Sequence, residues 1–251
     1  MEFVDTAAAK RLSGMRLVTV GGVPSPWSES AKGILHVKKI PFIGVRFSPA
    51  DAELQAWTGC NNAPVALFED EKPRSGWAEI LLLAERLVAE PRLIPDDPEQ
   101  RAWCFGLAHE ICGEMGLGWC RRVAGVHDSL ESEGAAGFPK SIADYLGAKY
   151  GYRRDNGPEC RRRVVDVLRL LAARLDRRRY YFGDALTALD IYSAAFMALF
   201  RPLDAAQCPM PETLRRAFES KDPDIAEALA PALLEHRDFI YREYLELPIQ
   251  L

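Results

Sequence analysis

The stretch Tyr181-Phe182-Gly183-Asp184-Ala185-Leu186-Thr187-Ala188-Leu189-Asp190-Ile191 decides how this chain is read. Thr187 stands three residues before Asp190, the spacing of a capping box in which Asp replaces the usual Glu or Gln. The threonine hydroxyl can accept from an N–H one turn on, and the aspartate can reach back to the N–H of Thr187. Leu186 and Ile191 take the two positions of a hydrophobic staple. The stretch therefore predicts a capped core helix from 188 onward, with a cap worth about 1 kcal/mol. It lies within a half of the chain that is helical throughout. Helical periodicity runs over roughly 98–126, 139–150, 158–177, 188–201, 211–220 and 223–245. Pro231 is expected to break or kink the last of these.

Upstream the pattern changes. The segment Glu90-Pro91-Arg92-Leu93-Ile94-Pro95-Asp96-Asp97-Pro98 carries three prolines and two adjacent aspartates, and reads as a boundary. Asp97 can cap a helix whose first residue is Pro98. Before it, strand and helix signals alternate. Strands are expected over 17–20, 42–47, 64–68 and, briefly, 72–74, with helices over 28–37, 51–57 and 77–88. The order βαβ then ββα describes a small sheet covered by helices. The chain thus divides into a loose N-terminal extension (1–15), an α/β unit (16–90), a linker (91–97) and an all-helical unit (98–251).

Composition excludes several classes. The 251 residues are 48% apolar and 27% charged, as in globular proteins. The formal net charge of -4 leaves no basic excess to hold nucleic acid. Arg161-Arg162-Arg163 and Arg177-Arg178-Arg179 read as a solvated helix face and a helix end. No apolar run reaches the length of about 18 residues that would make a membrane partner expected. The opening residues contain Ala7-Ala8-Ala9 but no long apolar core, which argues against a secretory leader. Six cysteines, none in a CxxC pair, read as reduced thiols in a cytoplasmic protein.

The chemistry-bearing candidates cluster at element ends. In Val23-Pro24-Ser25-Pro26-Trp27-Ser28-Glu29-Ser30, a strand hands over to a helix whose N-terminal amides favour an anion. Ser25 and Ser28 are rival hydroxyls there, one of them free to cap the helix. Trp27 reads either as a ligand contact or as core. His109-Glu110-Ile111-Cys112-Gly113 opens like a zinc-protease motif but lacks the second histidine, so no metal is expected. Gly113, Gly116 and Gly118 follow no strand and precede no GK[ST]. They read as a bend or a close helix approach, not a phosphate loop. Trp103, His109, Cys112, Met115 and Trp119 read mainly as a core stripe, while His36, His127 and His236 stand isolated.

Three pieces together resemble the cytosolic glutathione transferase family, over almost all of the chain after residue 15. Ser25-Pro26-Trp27 is similar to the Ser-Pro-Phe turn of its serine-type classes. Asn61-Asn62-Ala63-Pro64-Val65 is similar to the segment where the family carries a cis-proline before its third strand. The Thr187–Asp190 run is similar to its helical cap, the most specific of the three. The resemblance implies a thioredoxin-like N-terminal domain followed by an all-α C-terminal domain. It also implies glutathione as co-substrate, a small apolar electrophile and a homodimer. Ser25 would face the sulfur, with Trp27 and Ser28 beside it. Asn62, Ala63 and Pro64 would align the tripeptide, and Ser75 and Gly76 would hold its γ-glutamyl carboxylate. His109 would line the electrophile's pocket. The chain departs from the family at Ser75-Gly76, where Glu-Ser or Gln-Ser is usual. Ser75 keeps a hydroxyl, as cap or ligand contact, and Arg74 beside it offers a charge. Conjugation, a related lyase or isomerase reaction, and a non-catalytic scaffold on the same fold are the three readings. Disulfide reduction is disfavoured because no cysteine occurs between Ser25 and Ser30.

Overall fold

The structure is a computed structural model that describes residues 3–220 and 222–251. Its sheet has four strands, β1 (Phe3–Val4), β2 (Met15–Thr19), β3 (Phe42–Arg46) and β4 (Val65–Phe68), in the order β1-β3-β2-β4. β3 runs parallel to β1 and β2, whereas β4 runs antiparallel to β2, with Leu17 opposite Gly44 on one side and Ala66 on the other. All five residues of β2 are buried, because helices cover both faces of the sheet. Alternate side chains serve the two faces. Met15 and Leu17 join the large core, and Val18 joins a small one with Leu54 and Val65.

Five helices belong to this half or follow it directly: α1 (Thr6–Ala9), α2 (Pro26–Val37), α3 (Ala52–Thr58), α4 (Trp77–Leu87) and α5 (Pro98–Cys112). Asp97 caps α5 by accepting from the Gln100 N–H at 2.9 Å, and Pro98 takes the first helical position, as expected. The linker is docked: Leu93 is fully buried, and its carbonyl accepts from the Ala188 N–H at 2.8 Å. The remaining elements are α6 (Leu117–Glu131), α7 (Lys140–Lys149), α8 (Asn156–Leu175), α9 (Ala188–Phe196), α10 (Glu212–Phe218), α11 (Pro223–Ala228) and α12 (Pro231–Tyr244). A 3-10 turn, Met197–Leu199, extends α9. Every residue of α9 is buried among α2, α5 and α12, so one helix supports both halves of the molecule. The architecture is a thioredoxin-like N-terminal domain followed by a helical C-terminal domain.

Three details differ from the sequence reading. The N-terminal extension is not loose where it is described. Its β1 pairs with Gly44 and Val45, and Asp51 accepts from the Thr6 hydroxyl at 2.7 Å. The strand expected over 72–74 reduces to one bridge between Ala66 and Arg74, because Pro73 has no N–H to extend a ladder. The single helix expected over 98–126 is two helices. Between them Met115 turns to φ 59°, and Gly116 packs where a Cβ would stand 2.8 Å from the carbonyls of His109 and Glu110. The pattern over 223–245 divides at Pro231, as expected, with the proline starting the second piece.

The cap of α9 is larger than the sequence discloses. One oxygen of Asp190 accepts from the N–H and the hydroxyl of Thr187, at 2.8 and 2.7 Å. The other accepts from the Tyr181 N–H and from His236 Nε2, each at 3.0 Å. His236, isolated in sequence, is thus tied to Asp190 from α12.

Candidate active site

β2 ends at Thr19 and the chain crosses to α2 through Val20 to Pro24. The Val20 N–H donates to Ser28 Oγ at 3.3 Å, and Ser28 is fully buried beneath this turn. Ser25 is the N-cap of α2. Its carbonyl receives the first helical bond, from the Glu29 N–H at 2.8 Å. Its hydroxyl makes no capping bond and has no hydrogen-bond partner among the described residues. Pro26 at the first helical position has no N–H to satisfy. The two rival hydroxyls are therefore placed differently. That of Ser28 holds the strand end, and Ser25 opens on a cleft of about 890 Å³.

The cleft runs between the two domains. Asn62, Ala63 and Pro64 line it beside Ser25, and the Ala63–Pro64 bond is cis, as the resemblance implied. Ser75 and Gly76 also line it, ahead of α4. The N-cap of α4 is Gly76, so Ser75 lies outside the helix with an uncommitted hydroxyl. Glu79 folds back to accept from the Gly76 N–H at 3.2 Å and so takes up one of the amides at the helix start. Arg74 does not line the cleft. Its guanidinium donates to Glu71 at 2.5 Å and to the Lys72 carbonyl at 2.9 Å.

Trp27 belongs partly to the core and partly to the cleft lining. Its Nε1 donates to the Cys112 carbonyl at 2.8 Å, its ring meets Phe196 edge-on at 4.9 Å, and another edge faces the cleft. Gly118 permits this packing, since a Cβ there would come within 2.4 Å of Phe196 and 2.8 Å of Trp27. Of the stripe on the helical side, His109, Cys112 and Trp119 line the cleft. Trp103 is half exposed elsewhere, under the Arg174 guanidinium, and Met115 packs against the core.

The sequence reading missed the far wall. Phe138, Ile142, Tyr145 and Tyr150 from α7 and its flanks, with Arg122 from α6, close the cleft opposite Ser25. Ile142, Tyr145 and Leu146 recur at helical spacing, so α7 carries an apolar face. Ile142 and Tyr145 stay 45% and 46% exposed, so that face is not closed core. Burial raises the Tyr150 phenol, with the charge of Arg122 opposing. It pushes the Cys112 thiol well up, and that of Cys104 to about 12, so neither sulfur is a ready thiolate.

The fold recurs in solved structures. A glutathione S-transferase domain-containing protein from Marinobacter aquaeolei VT8 matches with a TM-score of 0.64 and 16% identity, over 92% of this chain and 100% of that one. The fold is that of the glutathione transferases. A glutathione S-transferase from Methylobacterium radiotolerans, in complex with glutathione sulfonate, matches at 0.54 and 20% identity, over 86% and 94%. The β-etherase LigF from a Sphingobium species matches at 0.58 and 17% identity, over 90% and 99%. No protein-family model and no curated protein matches the sequence. In the glutathione transferase fold of this chain, the cleft runs from the end of β2 to the apolar face of α7. No helix among the described residues is long and apolar enough to cross a membrane.

Proposed function

We propose that this protein is a glutathione transferase, in which Ser25 keeps the sulfur of bound glutathione ionised for attack on an electrophile. The observation that carries this reading is the uncommitted hydroxyl of Ser25 at the N-terminus of α2, facing the cleft that Ala63 and Pro64 also line. A thiol has an ordinary pKa of about 8.5 and reacts as its thiolate. Lowering that value by about 2 units takes roughly 2.7 kcal/mol. One hydrogen bond to a charged group supplies about 1.5–3 kcal/mol, and a helix N-terminus about 0.3–1 more. A single serine therefore suffices without a histidine or aspartate behind it. Ala63 would pair with the cysteinyl backbone, and Ser75 with the remaining amides of α4 would take the γ-glutamyl carboxylate. The thiolate then forms a carbon–sulfur bond to an acceptor held against α7. Expulsion of a leaving group gives conjugation or ether cleavage, and its absence gives addition or isomerisation.

The test is Ser25→Ala. The pKa of the bound thiol, followed by its ultraviolet thiolate absorbance, should rise by about 1–2 units. The conjugation rate at neutral pH should fall by about 10- to 100-fold, while glutathione affinity changes little. An unchanged thiol pKa would refute the assignment.

A second reading, a non-catalytic binding protein, is favoured by the Glu79 carboxylate on the Gly76 N–H, where a ligand carboxylate would otherwise sit. Retention on immobilised glutathione, or a melting shift in its presence, separates the two. A homodimer in a reducing cytoplasm completes the proposal. It accords with six free cysteines and with exposed Leu82 and Trp103.

A further inference from the structure

About half of the cationic side chains among the described residues meet an acid. On α8, Arg161 contacts Asp128 and Asp222, and Arg163 contacts Glu110. Arg121, beside Arg122 on α6, donates to the Leu199 carbonyl. Two cations of the cleft are different. Arg122 makes no hydrogen bond or ion pair with any described residue, and its guanidinium lies over the rings of Phe138 and Phe218, 5.7 and 5.3 Å from their centres. Lys149, at the end of α7, is equally unpaired, with its ammonium 5.9 Å from the ring centres of Tyr145 and Tyr150. The two charges act on one another. Burial lowers the pKa of Lys149, and the neighbouring Arg122 charge lowers it further. Burial also lowers that of Arg122, and the Tyr150 hydroxyl works against this. Glu114 is the one carboxylate among the described residues that line the cleft, and it is not among the groups acting on either cation.

Two like charges on an aromatic wall, with no counter-ion from the protein, form a site that an anion completes. A guanidinium fork suits a planar carboxylate or a sulfonate, and the flanking rings suit an apolar body. Resting on the transferase reading, we infer that the acceptor is an apolar, ring-bearing molecule with a negatively charged group, which Arg122 and Lys149 hold while its body lies on Tyr145, Tyr150 and Ile142. It adds a charged group to the small apolar electrophile that the resemblance implied. It also implies that the acceptor is oriented, with its charged end toward α6 and its reactive carbon toward Ser25.

Calorimetric titration of the full chain with 2-naphthoate and with 2-naphthamide tests the inference, since the two probes share a ring system and differ in charge. The acid should bind at least about tenfold more tightly than the amide. Added sodium chloride should shrink that ratio. Lys149→Gln should reduce it several-fold, and Arg122→Gln should bring it near one. Should Arg122→Gln fail to fold, Lys149→Gln at the exposed rim and the salt series still decide. Equal affinity for acid and amide, binding of neither, or a ratio untouched by salt and by both substitutions would overturn the proposal. Glutathione is titrated separately. Glutathione binding without acid preference leaves the transferase reading standing and removes the anion site. Acid preference without glutathione binding does the reverse.

Discussion

Asp190→Ala is the perturbation whose cost the structure makes most explicit. The carboxylate is wholly buried and accepts from the N–H groups of Tyr181 and Thr187, from the Thr187 hydroxyl and from His236 Nε2. A hydroxyl can rotate to another acceptor, but two backbone amides and a ring N–H cannot. Each buried donor left without a partner costs about 1–3 kcal/mol, so the loss is about 3–6 kcal/mol or more. That exceeds the value of about 1 kcal/mol for an ordinary helix cap. Thr187→Ala removes one hydroxyl and leaves the carboxylate with its other donors, so it should stay near about 1 kcal/mol. For a chain of this size, 1 kcal/mol moves the melting temperature by roughly 2–4 °C. Thermal unfolding followed by circular dichroism should therefore show a drop of a few degrees for Thr187→Ala. For Asp190→Ala it should show one on the order of 10 °C or more, or failure to fold. Equal shifts for the two variants would mean that the four-donor arrangement does not hold α9 in place.

Two further outcomes are expected. Gly118→Ala should destabilise the fold by about 1–3 kcal/mol despite the better helix propensity of alanine, because its Cβ meets the Phe196 and Trp27 rings at 2.4 and 2.8 Å. A melting temperature at or above that of the native chain would contradict the packing described. Burial foremost raises the pKa of Glu29 above 4.5, against the attraction of Lys32 at 2.8 Å. A carboxyl with a raised folded-state pKa stabilises the fold at low pH, and that contribution disappears as pH rises through the folded value. Glu29→Gln should therefore gain stability relative to the native chain between about pH 4 and pH 7, and melting curves at the two values would read this directly.

The N-terminal half was legible because its signals are local. Asp97 before Pro98 acts within one turn of chain and starts α5 where the sequence expected it, whereas α2 starts at Pro26, two residues before the expected 28. Ser28 and Ser25 were harder, since only the hydrogen bond from Val20 shows which hydroxyl is occupied. What stayed hidden depends on chain separation. His236 reaches Asp190 across 46 residues, and no spacing rule anticipates that. Gly113 and Gly116 were read as a bend or a close helix approach but not as a full break, because apolar residues continue on both sides, and the close approach to the end of α5 shows why glycine is needed. Arg122 and Lys149 lie on different helices, so neither stood out from the other basic residues of the chain.

The hydrogen bond from the Trp27 indole to the Cys112 carbonyl has a practical consequence. It pins the residue two places beyond Ser25 to the last turn of α5, so the start of α2 and the helical scaffold cannot slide apart without losing it. The same ring borders the cleft, and Tyr150 lies 6.3 Å away, so an unlabelled sample carries its own optical gauge. On the proposed reading, a change in tryptophan emission on adding glutathione would report a ligand arriving beside that ring.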